Sequence, residues 1–223
     1  MVDLIFPNTC VSCNLKAAPT KDIFCFACKC EILNTDHFET IDNELLFRLS
    51  GRVSVKHGAA LYSFIKLGHV QKAIHRLKYG RRGDIGKTLG REFGKKMLNS
   101  DLFLKPDIII PIPIHPKRER KRGYNQSKLF GEGIADVIDS QVSTRHLIKR
   151  KHITSQTSKL RTDRFKNVLL SFELKRSEEL KGKSILLIDD VLTTGATIEA
   201  AIQKLSQIPN ITIQLGLIAL AND

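Results

Sequence analysis

A chain of 223 residues is long enough for one medium domain with a small module beside it, and 42% hydrophobic content gives it a core and excludes wholesale disorder. No apolar run approaches the roughly 18 residues of a membrane span. Met1 to Cys10 has only Leu4, Ile5 and Phe6 as an apolar run, with no basic segment ahead of it, so a secretory signal is not expected and a cytoplasmic location is. Lysine and arginine total 36 against 23 acidic residues, a net charge of +13, which favours a polyanion or an anionic membrane surface as partner.

All five cysteines fall in the first 30 residues, a clustering that points to metal rather than disulfides in a cytosolic chain. Cys10-x2-Cys13 and Cys25-x2-Cys28 can each place two thiolates on one ion, and the short loop between them lets the second pair fold back on the first. A tetrahedral four-thiolate site leaves no open position, so a structural Zn²⁺ is expected. An iron–sulfur cluster is the other reading, and Cys30 competes as the fourth ligand. Ile5, Phe6, Ile23, Phe24 and Phe26 make a thin core, so metal binding should supply much of this module's folding energy. Its withdrawal is then expected to unfold only residues 1 to about 40.

Glu31 to Gly51 reads as a connector with a short helix over Glu44–Leu49, which places a zinc-ribbon module and connector at residues 1–50 and a second domain at 51–223. Ala59 to Lys66 reads as a strand. After Gly68, Val70, Ala73, Ile74 and Leu77 repeat at helical spacing, ending in the basic turn Lys78-Tyr79-Gly80-Arg81-Arg82. Lys78, Arg81 and Arg82 are candidates for contact with nucleic acid. A second helix sets Ile85, Leu89, Phe93 and Met97 at four-residue steps beside a stripe of Gly86, Gly90 and Gly94, which predicts close approach of another helix.

Asp107 to Ile114 is a buried strand that leaves its sheet at Pro111 and Pro113. The stretch from His115 to Ser127 reads as a strongly basic loop, followed by a helix carrying Leu129, Gly133, Ile134, Val137 and Ile138. His115, Lys117 and Arg122 are candidates to hold a pyrophosphate; Arg118, Arg120 and Lys121 are further nucleic-acid candidates. Thr144 to Lys149 reads as a strand, Arg150 to Lys166 as a polar mobile loop that includes the nucleic-acid candidates Arg161 and Arg164, and Val168 to Leu174 as a returning strand. Ile211 to Leu220 is expected to close the sheet.

The most informative stretch is Lys183 to Leu205. Ile185 to Ile188 is a short apolar run that reads as a strand buried on both faces. Asp189 and Asp190 follow, then the turn Thr193-Thr194-Gly195-Ala196-Thr197, then Ile198, Ala201, Ile202 and Leu205 on one helical face. A helix start offers free N–H groups and a positive dipole end to a phosphate. Gly195 lets the backbone approach an anion, and the hydroxyls of Thr193, Thr194 and Thr197 can donate to it. Like charge keeps the acidic pair off the phosphate; it suits ribose hydroxyls and can hold Mg²⁺ through water. Residues Asp189, Asp190, Val191, Thr193, Thr194, Gly195, Ala196 and Thr197 therefore form a candidate sugar-phosphate site. In an open parallel sheet the basic His115 loop would face the same crevice. No residue stands out as a catalytic base.

This stretch resembles the phosphoribosyl pyrophosphate (PRPP) signature of the type I phosphoribosyltransferases. The resemblance implies that the acidic pair contacts the ribose 2′ and 3′ hydroxyls and that Thr193 to Thr197 hold the 5′-phosphate. Along nearly its whole length the chain resembles the ComF family. The supporting motifs are the cysteine pairs, Lys78-Tyr79-Gly80, Pro111-x-Pro113-x-His115, Arg122-Gly123-Tyr124-Asn125-Gln126, Thr154-x-Gln156, Arg161, Arg164, Asn167 and Asp189 to Thr197. That likeness implies an α/β fold, a type I phosphoribosyltransferase-like parallel sheet flanked by helices and preceded by a Cys₄ zinc ribbon. It also implies a role in uptake and handling of single-stranded DNA during natural transformation, with a helicase-type partner and access to the inner face of the membrane through partners. The alternative is an active PRPP-dependent phosphoribosyltransferase of nucleotide metabolism.

Overall fold

The computed structural model describes residues 8–149, 169 and 171–221. In chain order the elements are α1 (Phe26–Cys30), α2 (Glu44–Leu49), β1 (His57–Phe64), α3 (His69–Tyr79), α4 (Gly83–Leu98), β2 (Ile108–Pro111), α5 (Pro116–Arg122), α6 (Gln126–Ile138), β3 (Leu147–Lys149), β4 (Phe172–Leu174), β5 (Ser184–Leu192), α7 (Ala196–Leu205) and β6 (Thr212–Ala221). Strands β1, β6, β5 and β2 pair in that order as a parallel sheet, and β3 with β4 forms a separate antiparallel pair.

Successive side chains of a strand point to opposite faces, and the buried residues divide accordingly. Ala59, Leu61, Ile109, Leu186, Ile188 and Ile218 join one hydrophobic cluster; Ala60, Ile110, Ile185, Leu187, Leu215 and Leu217 join the other. The first cluster is completed by α3, α4, α6 and the cysteine module, the second by α2, α7 and the β3–β4 pair. Both faces are covered, which is why the strands read as continuous apolar runs.

The glycine stripe does what its spacing predicts. A Cβ at Gly90 would stand 2.1 Å from the Phe130 carbonyl oxygen and 2.8 Å from Gly133 Cα, so α4 and α6 meet backbone to backbone. We expect Gly90→Ala to cost about 3 kcal/mol or more, beyond ordinary overpacking, because the obstacle is main chain and cannot rotate away. A urea midpoint within error of the parent's would refute that packing.

Three expectations are adjusted. The basic stretch after His115 is not all loop, since α5 lies inside it. The helix forms because His115 Nδ1 accepts from the Lys117 N–H at 3.1 Å, Pro116 takes the first turn where its missing N–H costs nothing, and Gly123 ends it at φ +89°. Strand β6 does not close an edge; it sits between β1 and β5, where its ladder is paired on both sides. The return strand begins at Phe172. The loop expected over Arg150 to Lys166 lies outside the described residues, as do Arg161, Arg164 and Asn167. Among the described residues no helix is long and apolar enough to cross a membrane.

Candidate functional site

Parallel pairing puts the carboxyl ends of β2 and β5 side by side. Pro111 is in register with Ile188, and the Ile112 N–H still reaches the Ile188 carbonyl at 2.9 Å. Beyond that point the two chains diverge, β2 toward α5 and β5 into the acidic pair, and a cleft of about 1120 Å³ opens between them. It gathers Asp189 to Ile198, Ile112 to Arg118, Arg120, Arg122, Gln126, Lys78, Tyr79 and Lys149.

Asp189 is buried. Its Oδ1 accepts the Ser127 hydroxyl at 2.8 Å and the Asp190 N–H at 2.9 Å. Burial raises its pKa first, and the neighbouring Asp190 charge adds to that, lifting it from 3.8 to about 7. Asp190 Oδ1 accepts the Val191 N–H at 2.9 Å, and its Oδ2 pairs with Lys78 Nζ at 2.5 Å. Gly195 caps α7 at φ +80°, a left-handed conformation that a side chain would disfavour, and leaves the first N–H groups of a ten-residue helix facing the cleft. Thr193 and Thr194 are exposed on the turn.

The opposite wall is basic. Helix α5 exposes Lys117, Arg118, Arg120 and Lys121; Arg122 donates to Gln126 Oε1 and lies 5.7 Å from the Tyr79 ring centroid. His115, expected to meet a pyrophosphate, spends its Nδ1 on capping α5. The motif that follows holds the scaffold in place. Tyr124 donates to the Leu77 carbonyl at 2.6 Å, Asn125 caps α6 through the Ser127 N–H at 2.9 Å and donates to the Ile112 carbonyl at 3.1 Å, and Ser127 holds Asp189.

Of the nucleic-acid candidates among the described residues, Lys78, Arg118 and Arg120 line the cleft, and Arg81, Arg82 and Lys121 are not among its lining residues. Lys78 is in the cleft on Asp190, Arg82 is paired with Asp84 through two nitrogens, and Arg81 stands exposed in the turn between α3 and α4. Lys149 was missed by sequence reasoning. It lies at the end of a three-residue strand, its Nζ 5.0 Å from the Phe172 ring centroid, and burial lowers its pKa against the pull of Asp189. One lysine in a basic chain carries no local signal that it will face an aspartate.

The four sulfurs of Cys10, Cys13, Cys25 and Cys28 lie within 4.8 Å of one another, and Cys30 is exposed outside the group. Zinc–sulfur bonds of about 2.3 Å place tetrahedral sulfurs about 3.8 Å apart. The Cys13–Cys25 separation is 3.9 Å, so this donor set fits zinc. The N–H groups of Leu15 and Lys16 hold the Cys13 thiol down to about 6, while burial and the other thiols push Cys28 up to about 12. Thiols crowded in this way need a cation before all can ionise.

Residues 126–209, which carry α6, β5 with its acidic pair and the glycine-capped start of α7, match the family model described as a phosphoribosyl transferase domain. Competence protein F of Haemophilus influenzae is 26% identical over 203 residues, 86% of this chain and 88% of that protein. DNA utilization protein YhgH of Escherichia coli O157:H7 is 28% identical over 148 residues, 64% of this chain and 63% of the relative's length. A glutamine PRPP amidotransferase from B. subtilis complexed with ADP and GMP is 15% identical, covering 63% of this chain and 30% of that one, at a TM-score of 0.43. The chain is thus a homologue of the ComF-type competence and DNA utilization proteins, with a phosphoribosyl transferase domain and an N-terminal four-cysteine cluster.

Proposed function

We propose that this protein binds PRPP or a related ribose 5-phosphate in the cleft and acts in the handling of single-stranded DNA. The observation that carries the first part is the Asp189–Asp190 pair set directly before a glycine-capped helix start and facing a basic wall. In this reading the N–H groups and hydroxyls from Thr193 to Thr197 take the 5′-phosphate, as the positive end of a helix favours. Asp189 and Asp190 accept from the ribose hydroxyls. Lys117, Arg118, Arg122 and Lys149 neutralise a pyrophosphate. Carboxylate oxygens are hard donors that suit Mg²⁺, which would add charge neutralisation at a departing pyrophosphate. Lys78 neutralises Asp190. The second part is supported by the competence and DNA utilization relatives and by a net charge of +13. A structural Zn²⁺ on the four cysteines, a helicase-type partner and the division at residue 50 belong to the same reading.

Calorimetric titration with Mg–PRPP, followed by assay of pyrophosphate release with and without single-stranded DNA, tests it. We expect binding that disappears in Asp189→Asn/Asp190→Asn. Single-stranded DNA affinity should fall with salt at a log–log slope of about −0.7 per phosphate contacted. An unchanged PRPP affinity in the double variant would remove the site, and a flat salt response would remove DNA. Release of pyrophosphate would favour the transferase alternative.

A further inference from the structure

The start of α7, read above as the place of a 5′-phosphate, carries a carboxylate in its own first turn. Glu199 lies one turn along from Gly195, its N–H bonded to the Gly195 carbonyl at 2.9 Å, and it is only 8% exposed. A negative charge there works against an anion. At an effective dielectric near 20, two unit charges about 10 Å apart repel strongly enough to weaken binding roughly tenfold, and burial limits the screening that salt provides. An acid in that turn also competes with phosphate for the positive end of the helix.

The compensating charge comes from the segment before β1. Arg52 Nη1 donates to Glu199 Oε2 at 3.1 Å, across 147 residues of chain. Gly51, at φ +71°, turns the chain out of α2, and the Arg52 N–H bonds back to the Leu49 carbonyl at 3.2 Å. The same segment packs on the phosphate turn itself. A Cβ at Gly195 would stand 3.7 Å from Leu49 Cδ2 and 3.9 Å from Arg52 Nη1. Gly195 to Ile198 line the cleft, and Arg52 is not among the lining residues. Its charge therefore acts on the turn through Glu199, from the α2 side, and not by contact with a molecule in the cleft.

We propose that Arg52 is a positioning residue for the phosphate turn: it neutralises Glu199, so that the start of α7 presents a net positive end to an anion, and it holds α2 against Gly195. This rests on the reading of Thr193 to Thr197 as a phosphate site and deepens it, since a residue that sets the affinity of the site lies outside the cleft.

Calorimetric titration of the full chain with ribose 5-phosphate tests it, using charge variants whose effects differ in sign. Arg52→Ala leaves Glu199 uncompensated, and affinity should fall about tenfold. Glu199→Gln removes the repulsion while its amide oxygen can still accept from Arg52, so affinity should hold or rise. Arg52→Ala/Glu199→Gln should return to within about twofold of the parent. A pair that only braces the fold would lower affinity in both single variants, with no rescue in the double. The double variant leaves no buried charge unpaired, so it stays readable even where Arg52→Ala folds poorly. An affinity in Arg52→Ala within about twofold of the parent, a loss in Glu199→Gln, or a double variant about tenfold weaker than the parent overturns the proposal while leaving the phosphate site standing. No binding of ribose 5-phosphate by the parent overturns the phosphate reading as well.

Discussion

Asp189→Asn will make the ligand-free protein more stable at pH 8, even as it removes a group proposed to hold the ribose. The folded carboxyl titrates at about 7 and the unfolded one near 3.8, because the fold buries it beside Asp190. A carboxyl whose folded pKa is raised stabilises fully below the unfolded value, and that contribution is lost as pH rises through the folded one. At pH 8 the parent therefore carries the whole cost of a buried charge. Asparagine avoids it, and its carbonyl can still accept from Ser127 and from the Asp190 N–H. At ~1.4 kcal/mol per pKa unit, a gain of about 4 kcal/mol is expected at pH 8, shrinking to roughly two-fifths of that at pH 5. Urea unfolding at the two pH values measures both. A loss of stability at pH 8, or a gain independent of pH, would show that Asp189 is not held in this strained state. The expected trade, stability for binding, is the usual signature of a site arranged for a ligand.

Disrupting the four-cysteine cluster with Cys10→Ser/Cys13→Ser will be felt in the cleft. The module grips α3, the helix that delivers Lys78 and Tyr79. Ser12 Oγ meets His69 Nδ1 at 2.5 Å, His69 Nε2 meets Glu31 at 2.8 Å, and Arg76 donates to Asn14 Oδ1 at 3.0 Å. Beneath these contacts Cys10, Val11, Ile23, Phe24 and Phe38 share one cluster with Leu61, Val70, Ile74, Leu77 and Phe93. Residues 33–35 also bond along β1, through the Thr35 N–H to Leu61 and the Ser63 N–H to Leu33. Structural zinc contributes several kcal/mol, and each kcal/mol shifts a chain of this size by about 2–4 °C, so a drop in melting temperature of about 10 °C or more is expected. Hydrogen exchange should quicken in α3, and ribose 5-phosphate should bind more weakly. Loss confined to residues 8–40, with α3 and the cleft unaffected, would instead support the separable module that the sequence suggests.

Much of this architecture was legible because its signals are local. Strand, acidic pair, Thr/Gly turn and helix lie within about two dozen consecutive residues, and each step is set by a period or by the steric freedom of Gly195. The paired cysteines announce their own cluster through spacing, and the glycine stripe on α4 announces a close neighbour. What was not legible lies in pairs distant in sequence. Nothing near Ser127 says that its hydroxyl will meet Asp189, 62 residues on, and nothing near Lys78 says that its charge will be spent on Asp190. The basic run after His115 concealed α5, since solvated charge reads as loop until capping groups at both ends are recognised. The sequence by itself determined most of the elements, the clustering of four cysteines and the Thr/Gly turn that starts α7. Only the tertiary structure decided that β6 is central, that the cysteine module braces α3, and that Lys78 and Tyr79 enter the cleft. Those outcomes follow from which crossovers the parallel sheet adopts and which faces are left to cover, and such choices minimise exposed apolar area over the whole chain rather than within any window of it.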